Sequence, residues 1–268
     1  YREWQIPFQY VGNPLLDEID ANLSNSEART RLRSQGIDLS DATPVVTILP
    51  GSRFGEIKNH SAVFAESVCR FVASLGSSDA KPVVLIPAAQ NIEVEELKNI
   101  FEPILKKSGV QVHVVKGFSH ECLKVARVAL VKSGTSTLEA ALLGTPMVLA
   151  YQVSKSSSFL FKTVVRYKGY VGLVNLFLTN SIDQALGWER GGIPVVPELI
   201  LEKCTPENIS RHLQQLYREG SERAAMLEKL KETRVRLAPP ESLGASPFEA
   251  AARACIDLFD GKAVGNAG

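Results

Sequence analysis

The stretch 128–151 constrains the fold most, because it combines the patterns of a strand, a turn, a helix and a second strand. An apolar run ends at Ser133, Leu138 and Leu142 recur on one helical face, and Gly144 ends the helix before the next apolar run. The turn therefore brings a loop of small residues to a helix start, where free N–H groups and the helix dipole favour an anion.

The same alternation of apolar runs and helical patterns extends upstream of this stretch. The predicted strands are 45–49, 82–87, 110–115, 128–131 and 147–151. Their alternation with helices predicts an α/β fold, a Rossmann-like doubly wound parallel sheet with further helices at its C-terminal end. Ligands of such sheets bind beyond the carboxyl ends of the strands, where we expect the loops 51–56, 117–119 and 133–137.

Composition excludes several classes of function. The chain has 268 residues, is 45% hydrophobic and 22% charged, and carries a net charge of +1, so its bulk charge does not favour nucleic acid. No apolar run approaches the ~18 residues of a membrane span. The four cysteines form no CxxC pair and are expected to be free thiols, with Cys69 and Cys255 buried. The histidines lack metal-ligand spacing, so no metal site is predicted.

The first candidate binding site is Ser133-Gly134-Thr135. Gly134 lets the backbone approach a phosphate closely, and the two hydroxyls can donate hydrogen bonds to phosphate oxygens. We interpret this loop, with Ser136 and Thr137, as the holder of the diphosphate of a nucleotide sugar. The alternative is that the Ser and Thr side chains only cap the helix.

Glu139 lies one turn into the same helix. Its two carboxylate oxygens match the two hydroxyls of a ribose, which makes it a candidate nucleoside-binding residue. Ser136 and Glu139 also have the spacing of a capping box, in which Glu139 folds back onto the Ser136 N–H. The residues alone leave both interpretations open.

A second candidate segment, Gly51-Ser52-Arg53, follows the first strand. Arg53 is a fixed cation that can bind a diphosphate through two hydrogen bonds, or can be a surface residue of a turn. Glu56 can orient Arg53, or can favour the dipole of the following helix from its first turn.

Two further side chains are expected near the same edge of the sheet. Phe118 can face a base, although packing is the more common role of a single aromatic residue. His120 begins a helix, where solvation or capping is the usual role and base catalysis the rarer one. Farther on, residues 154–180 interleave cationic and aromatic side chains, which suits a helix covering the sheet or one lying on an anionic membrane.

Five segments of residues 8–215 follow one another in a characteristic order. They are Tyr10-Val-Gly-Asn-Pro-Leu15, Leu49-Pro-Gly-Ser-Arg-Phe-Gly-Glu-Ile57, Ser133-Gly-Thr-Ser-Thr-Leu-Glu139, Gly144-Thr-Pro-Met-Val148 and Val196-Pro-Glu-Leu199. Together they resemble the C-terminal part of the lipid-A-disaccharide synthases, which are inverting GT-B glycosyltransferases. The second and third segments in combination make the resemblance specific.

The resemblance implies a reaction. UDP-2,3-diacylglucosamine would donate its sugar to 2,3-diacylglucosamine 1-phosphate, giving lipid A disaccharide 1-phosphate and UDP without a metal or other cofactor. The diphosphate would be held by Ser133, Gly134 and Thr135, its charge would be neutralised by Arg53, and the ribose would be bound by Glu139.

The resemblance also implies less direct roles. Phe118 and its neighbours would flank the uracil, and Asn175 and Glu198 would lie near the donor sugar. The protein would be cytoplasmic and peripheral on the inner face of the inner membrane, with a lipid acceptor and a homodimer as further partners.

The chain departs from the family pattern at three places. Asn13 stands where the family usually has His, and residues 179–192 look like an insertion. The third departure is a missing N-terminal domain, which in the family holds the acceptor and the catalytic carboxylate. We therefore expect the catalytic base outside this chain, and expect the chain to bind UDP without turnover.

Pro-rich and polar segments suggest how the chain is divided. We expect an inter-domain connection over 1–40, a nucleotide-sugar-binding domain over 41–200, C-terminal helices over 201–260 and a disordered tail over 261–268. Because Tyr1 is not Met, we also expect a piece of a longer protein.

Two alternative functions stay open. One is another UDP-N-acetylglucosamine enzyme on the same fold, such as a 2-epimerase, for which only His120 is suitably placed to reach a sugar ring. The other is a non-catalytic module that binds a nucleotide sugar or associates with a membrane.

Overall fold

The computed structural model describes residues 8–76, 79–152, 169–179, 194–244 and 246–260. The cationic, aromatic segment that begins at residue 154 lies mostly outside the described residues, as do most of the predicted insertion and the tail 261–268. Within the described ranges, no helix is long and apolar enough to cross a bilayer.

The centre of the molecule is a six-stranded, entirely parallel sheet. Its strands are β1 (Val45–Leu49), β2 (Val83–Ala88), β3 (Val112–Lys116), β4 (Val128–Lys132), β5 (Met147–Tyr151) and β6 (Glu198–Ile200). Every residue of β1 and β2 is buried, as are the first four residues of β4 and of β5, which explains why these strands are continuous apolar runs. The predicted α/β, Rossmann-like parallel sheet is therefore confirmed.

The strand order is β3-β2-β1-β4-β5-β6. The direction of winding reverses between β1 and β4, so right-handed connections put the helices of the two halves on opposite faces. The loops after β1 and β4 diverge at this reversal and leave a crevice at the carboxyl edge of the sheet.

Ten α-helices surround the sheet in the described part of the chain. They are α1 (Leu15–Glu18), α2 (Asn25–Arg33), α3 (Phe54–Ala73), α4 (Val94–Leu105), α5 (Ser119–Val125), α6 (Ser136–Leu142), α7 (Leu173–Leu178), α8 (Pro206–Tyr217), α9 (Ser221–Leu237) and α10 (Pro247–Phe259). Helix α3 packs against α4 and α8, whereas α6 packs against α5, α7 and α9.

The C-terminal helices share the core of the sheet. Ile209 and Leu213 of α8 and Leu230 and Leu237 of α9 belong to the same buried apolar cluster as the strands. Thr205 caps α8 by accepting a hydrogen bond from the Asn208 N–H at 3.3 Å, as its position before a proline predicts.

Some local expectations were wrong. Strand β6 forms in a segment for which no strand was predicted. The described cysteines are all free, but the buried ones are Cys122 and Cys204, whereas Cys69 is half-buried and Cys255 exposed.

Candidate functional site

A cavity of about 460 Å³ opens between the loops that follow β1 and β4, at the reversal of the strand order. Nine residues singled out from the sequence line it, namely Gly51, Ser52, Arg53, Glu56, Ser133, Gly134, Thr135, Ser136 and Glu139. The fold therefore gathers two separate sequence motifs, after β1 and after β4, around one space. Among described residues, no cluster of His, Cys, Asp and Glu side chains could hold a metal ion.

The loop after β4 presents backbone N–H groups. In the described structure, the N–H groups of Gly134, Thr135 and Ser136 make no hydrogen bond, whereas that of Thr137 bonds to the Gly134 carbonyl at 3.2 Å. A side chain added at Gly134 would meet no atom within 4 Å, so this glycine borders open space. Unpaired N–H groups beside open space are suited to bind an anion.

Thr137 supports the loop instead of lining the cavity. Its side chain is completely buried, and its hydroxyl donates a hydrogen bond of 2.7 Å to the Gly134 carbonyl. This contact fixes the turn on which the N–H groups are displayed.

Glu139 faces the cavity and forms no capping box. The residue before α6 is Thr135, whose backbone is already helical and whose side chain makes no capping hydrogen bond. The Glu139 carboxylate lies 3.6 Å from His120 Nε2 instead. The capping-box alternative is therefore wrong, because α6 begins at Ser136 and Ser136 cannot be its cap.

His120 is a partner of Glu139, a role that neither solvation nor capping describes. The nearby Glu139 carboxylate raises the pKa of His120 against the opposing effect of burial, and the charges of Glu121 and Glu18 also raise it. When it is protonated, His120 neutralises part of the negative charge beside the cavity.

Arg53 and Glu56 contact each other at the other rim. Arg53 Nη1 is 3.3 Å from Glu56 Oε1, and the Arg53 side chain is 80% exposed. Glu56 lies in the first turn of α3, so it both contacts Arg53 and favours the helix dipole, and the two interpretations of this residue hold together.

Lys132 is a cavity residue that the sequence interpretation missed. It ends β4, is only 16% exposed, and puts Nζ 3.0 Å from Glu56 Oε2 and 5.3 Å from the centre of the Tyr151 ring. Burial would raise the pKa of Glu56, but hydrogen bonds and charge from Lys132 and Arg53 lower it overall. The sequence feature that could have indicated Lys132 is a single cation at the end of an otherwise apolar strand, directly before Ser133.

Phe118 lies beside the cavity but packs against the hydrophobic core. Its backbone is left-handed, with φ of 57°, and its neighbours Gly117 and Ser119 line the cavity. A part in binding a base stays a prediction for this residue.

Asn175 and Glu198 meet in what we call the Glu198 cluster, which comprises Val171, Gly172, Asn175, Val196 and Glu198. The Glu198 carboxylate accepts hydrogen bonds from the N–H groups of Val171 at 2.9 Å and Gly172 at 3.0 Å, and from the Asn175 amide at 2.7 Å. Asn175, 2% exposed, also bonds to both the carbonyl and the N–H of Val196.

The Glu198 cluster borders the loop after β4. The Ser133 hydroxyl donates towards the Val171 carbonyl at 3.5 Å, the outer limit of a hydrogen bond. Burial raises the pKa of Glu198, although its three hydrogen bonds oppose that shift. Neither Asn175 nor Glu198 is among the described residues that line the cavity.

The six-stranded parallel sheet with its packed helices defines the class, an α/β domain with the fold of one half of a GT-B glycosyltransferase. An Anabaena protein, Alr3699/HepE, solved in complex with UDP and glucose, has a similar fold with a TM-score of 0.52 and 8% identity. The match covers 90% of this chain and 55% of that protein, and it concerns the fold alone.

The chain belongs to the lipid-A-disaccharide synthase family. The model of that family, LpxB, lipid-A-disaccharide synthetase, matches residues 1–243. The lipid-A-disaccharide synthase of Myxococcus xanthus is 32% identical over 237 residues, which cover 88% of this chain and 55% of the relative. That of Dechloromonas aromatica is 32% identical over 263 residues, with 97% and 60% covered. The chain thus spans a little over half the length of these relatives.

Proposed function

We propose that this chain is the UDP-sugar-binding half of a glycosyltransferase of lipid A biosynthesis. The complete enzyme would transfer 2,3-diacylglucosamine from its UDP derivative to 2,3-diacylglucosamine 1-phosphate. The products would be lipid A disaccharide 1-phosphate and UDP. Family membership supports the reaction, and the cavity supports the assignment of UDP-sugar binding to this chain.

The observation that carries the proposal is the meeting of Arg53, the loop 133–136 and Glu139 around one cavity. Charge develops on the diphosphate as UDP leaves the sugar, and prearranged N–H groups and a cation stabilise that charge. Glu139 accepts hydrogen bonds from the two ribose hydroxyls, and the loop 133–136 and Arg53 bind the phosphates.

The other predicted residues act from the periphery of this site. Phe118 flanks the uracil. Asn175 and Glu198 lie near the donor sugar and act indirectly, because Glu198 is engaged by the N–H groups of Val171 and Gly172, and Asn175 by Glu198 and Val196. Gly51 and Ser52 shape the phosphate side of the cavity.

The remaining parts of the reaction lie beyond this chain. The catalytic base and the acceptor site belong to the additional length that the relatives have, so the chain alone binds UDP without turnover. Both sugar substrates carry acyl chains, which favours peripheral association of the enzyme with the cytoplasmic face of the inner membrane. A homodimer is compatible with this arrangement.

Calorimetric titration of the chain with UDP, UDP-glucosamine and ADP tests the proposal. We expect UDP and UDP-glucosamine to bind and ADP to bind at least about tenfold more weakly, since a pocket built for one base leaves polar groups unpaired with another. Equal binding of UDP and ADP would contradict uracil recognition. Production of disaccharide by this chain from both lipid substrates would refute the assignment of the base to the absent half.

A further inference from the structure

Glu56 carries a negative charge inside a site to which we assign a negatively charged ligand. Its two carboxylate oxygens divide between two cations, with Oε1 3.3 Å from Arg53 and Oε2 3.0 Å from Lys132. Any diphosphate entering the cavity meets the same two cations, and it carries more negative charge than one carboxylate. The ligand and Glu56 must therefore compete for them.

Arg53 and Lys132 differ in how strongly their charges can attract a bound anion. The Arg53 side chain is 80% exposed, so water and salt screen its charge, whereas Lys132 is 16% exposed and interacts across a less polar medium. The Lys132 ammonium has three donors, so it can keep one on Glu56 while it turns another to a phosphate. Lys132 should thus contribute more to anion binding than Arg53.

The surroundings hold Lys132 in the cavity. Its ammonium faces the Tyr151 ring at 5.3 Å. A side chain at Gly51, whose φ is 111°, would approach Lys132 Cδ to 3.4 Å and Glu56 Oε2 to 3.6 Å. These are ordinary van der Waals distances, so Gly51 lies directly beside the ion pair.

A buried histidine fixes the position of Glu56. His60 Nε2 accepts a hydrogen bond of 2.9 Å from the Gln152 N–H, so the proton of the neutral ring is on Nδ1, which donates to the Glu56 carbonyl at 2.6 Å. Burial lowers the pKa of His60, a shift in the direction that favours the neutral ring. His60 thereby joins the first turn of α3 to the end of β5.

We propose that Lys132 is a diphosphate-binding residue, which Glu56 holds in the cavity and partly releases when the diphosphate binds. This inference rests on the proposed function and adds a cation and an exchange of its partners to that site. In the free protein Glu56 neutralises Lys132 and keeps its side chain directed into the cavity. In the complex the phosphate oxygens take over part of that neutralisation.

The test compares a charged ligand with an uncharged one. UDP and uridine are titrated into the chain and into Lys132→Gln, with Lys98→Gln as the control, because Lys98 also pairs with a glutamate but lies on α4, away from the cavity. Losing a charge-assisted contact should weaken UDP on the order of 10- to 100-fold and leave uridine unchanged. Lys98→Gln should leave both affinities unchanged.

Two further variants examine the exchange. Glu56→Gln removes the competing charge, so UDP should bind about twofold to fivefold more tightly, within the usual range for one partly exposed charge. Lys132→Arg keeps the charge and should retain most of the UDP affinity. If Lys132→Gln does not fold, as judged by thermal unfolding, Lys132→Met replaces it, because Met keeps an unbranched stem without an amide.

Each outcome bears on a different statement. Lys132→Gln with wild-type UDP affinity, or with equal losses for UDP and uridine, overturns the binding role of Lys132. A loss of UDP affinity in Glu56→Gln as large as that in Lys132→Gln overturns the exchange. Failure of the unaltered chain to prefer UDP to ADP overturns the proposed function itself, and this inference with it.

Discussion

Two carboxylates near the carboxyl edge of the sheet have opposite kinds of partners. Glu198 is engaged by three N–H donors, two from the backbone and one from Asn175, within the Glu198 cluster. Glu56 is engaged by the side chains of two cations at the rim of the cavity. Both residues follow the same rule that buried charge needs partners, but their partners differ in mobility.

This difference separates structural support from ligand binding. Backbone N–H groups cannot leave Glu198 without opening the segment 171–172, so the cluster holds the fold together. Side-chain cations can turn from Glu56 to an incoming phosphate without moving the backbone. We therefore expect substitutions in the Glu198 cluster to reduce stability and substitutions in the cavity to reduce affinity.

The largest expected effect tests the structural side of the comparison. Glu198→Ala leaves the N–H groups of Val171 and Gly172 without their acceptor, and the Asn175 amide with only the Val196 carbonyl, so it should lower the free energy of unfolding by about 2–4 kcal/mol. Denaturant unfolding measures the change, with Glu96→Ala, an exposed residue of α4, as the control expected to stay within about 0.5 kcal/mol. A stable Glu198→Ala chain that has lost UDP affinity would reverse the roles that we assign to the two regions.

Glu139→Gln tests the ligand side of the comparison. The amide keeps the shape but replaces one acceptor facing the ribose, so UDP affinity should fall on the order of 10- to 100-fold. Stability should change by less than about 1 kcal/mol, because the contact with His120 is long and partly exposed. Calorimetry and thermal unfolding separate the two effects, and Glu102→Gln, which removes a similar ion pair on α4, is the control.

Thr137→Val examines the boundary between the two regions. Loss of the hydrogen bond to Gly134 should cost about 1 kcal/mol of stability and, by loosening the loop, weaken UDP about threefold. Thr145→Val removes a comparable buried hydrogen bond, from the Thr145 hydroxyl to the Leu123 carbonyl at 2.8 Å, away from the cavity. Equal UDP affinities of the two variants would show that Thr137 does not support the binding loop.

The smallest expected effect is a pH dependence. The pKa of His120 is raised above its ordinary value of 6.5, so its contribution to stability is complete below about pH 6.5 and is lost as the pH rises through the folded-state pKa. Because both side chains are partly exposed, the contribution should stay below about 1 kcal/mol. Unfolding curves of the wild type and of His120→Asn should converge above the folded-state pKa and separate below it. Separation only at high pH would contradict this sign.

Most strands and helices could be predicted from the sequence because their signals are local. Strands β1 and β5 begin and end where the apolar runs indicate. Strand β6 was missed for two reasons. It is only three residues long, and it forms by pairing with β5, a contact that no local sequence pattern indicates.

The candidate site divides in the same way. The two loops and their residues Arg53, Ser133 and Glu139 follow from motifs at strand ends, and a parallel sheet brings strand ends to one edge. The role of Lys132 depends on its meeting with Glu56, which is 76 positions away in the chain (132 − 56 = 76). A lone lysine has many possible environments, so the sequence does not select this one.

The sequence by itself determined the parallel α/β sheet, the two loops at its edge and the family, since apolar period, turn chemistry and motif order are properties of neighbouring residues. Only the tertiary structure decided which carboxylate serves which purpose. In the folded chain, Glu139 contacts His120 and faces the cavity. Glu56 contacts Lys132 and Arg53, whereas Glu198 accepts hydrogen bonds from the backbone of residues 171 and 172. The physical reason is that the energy of a buried charge depends on the partners that folding brings to it from distant parts of the chain.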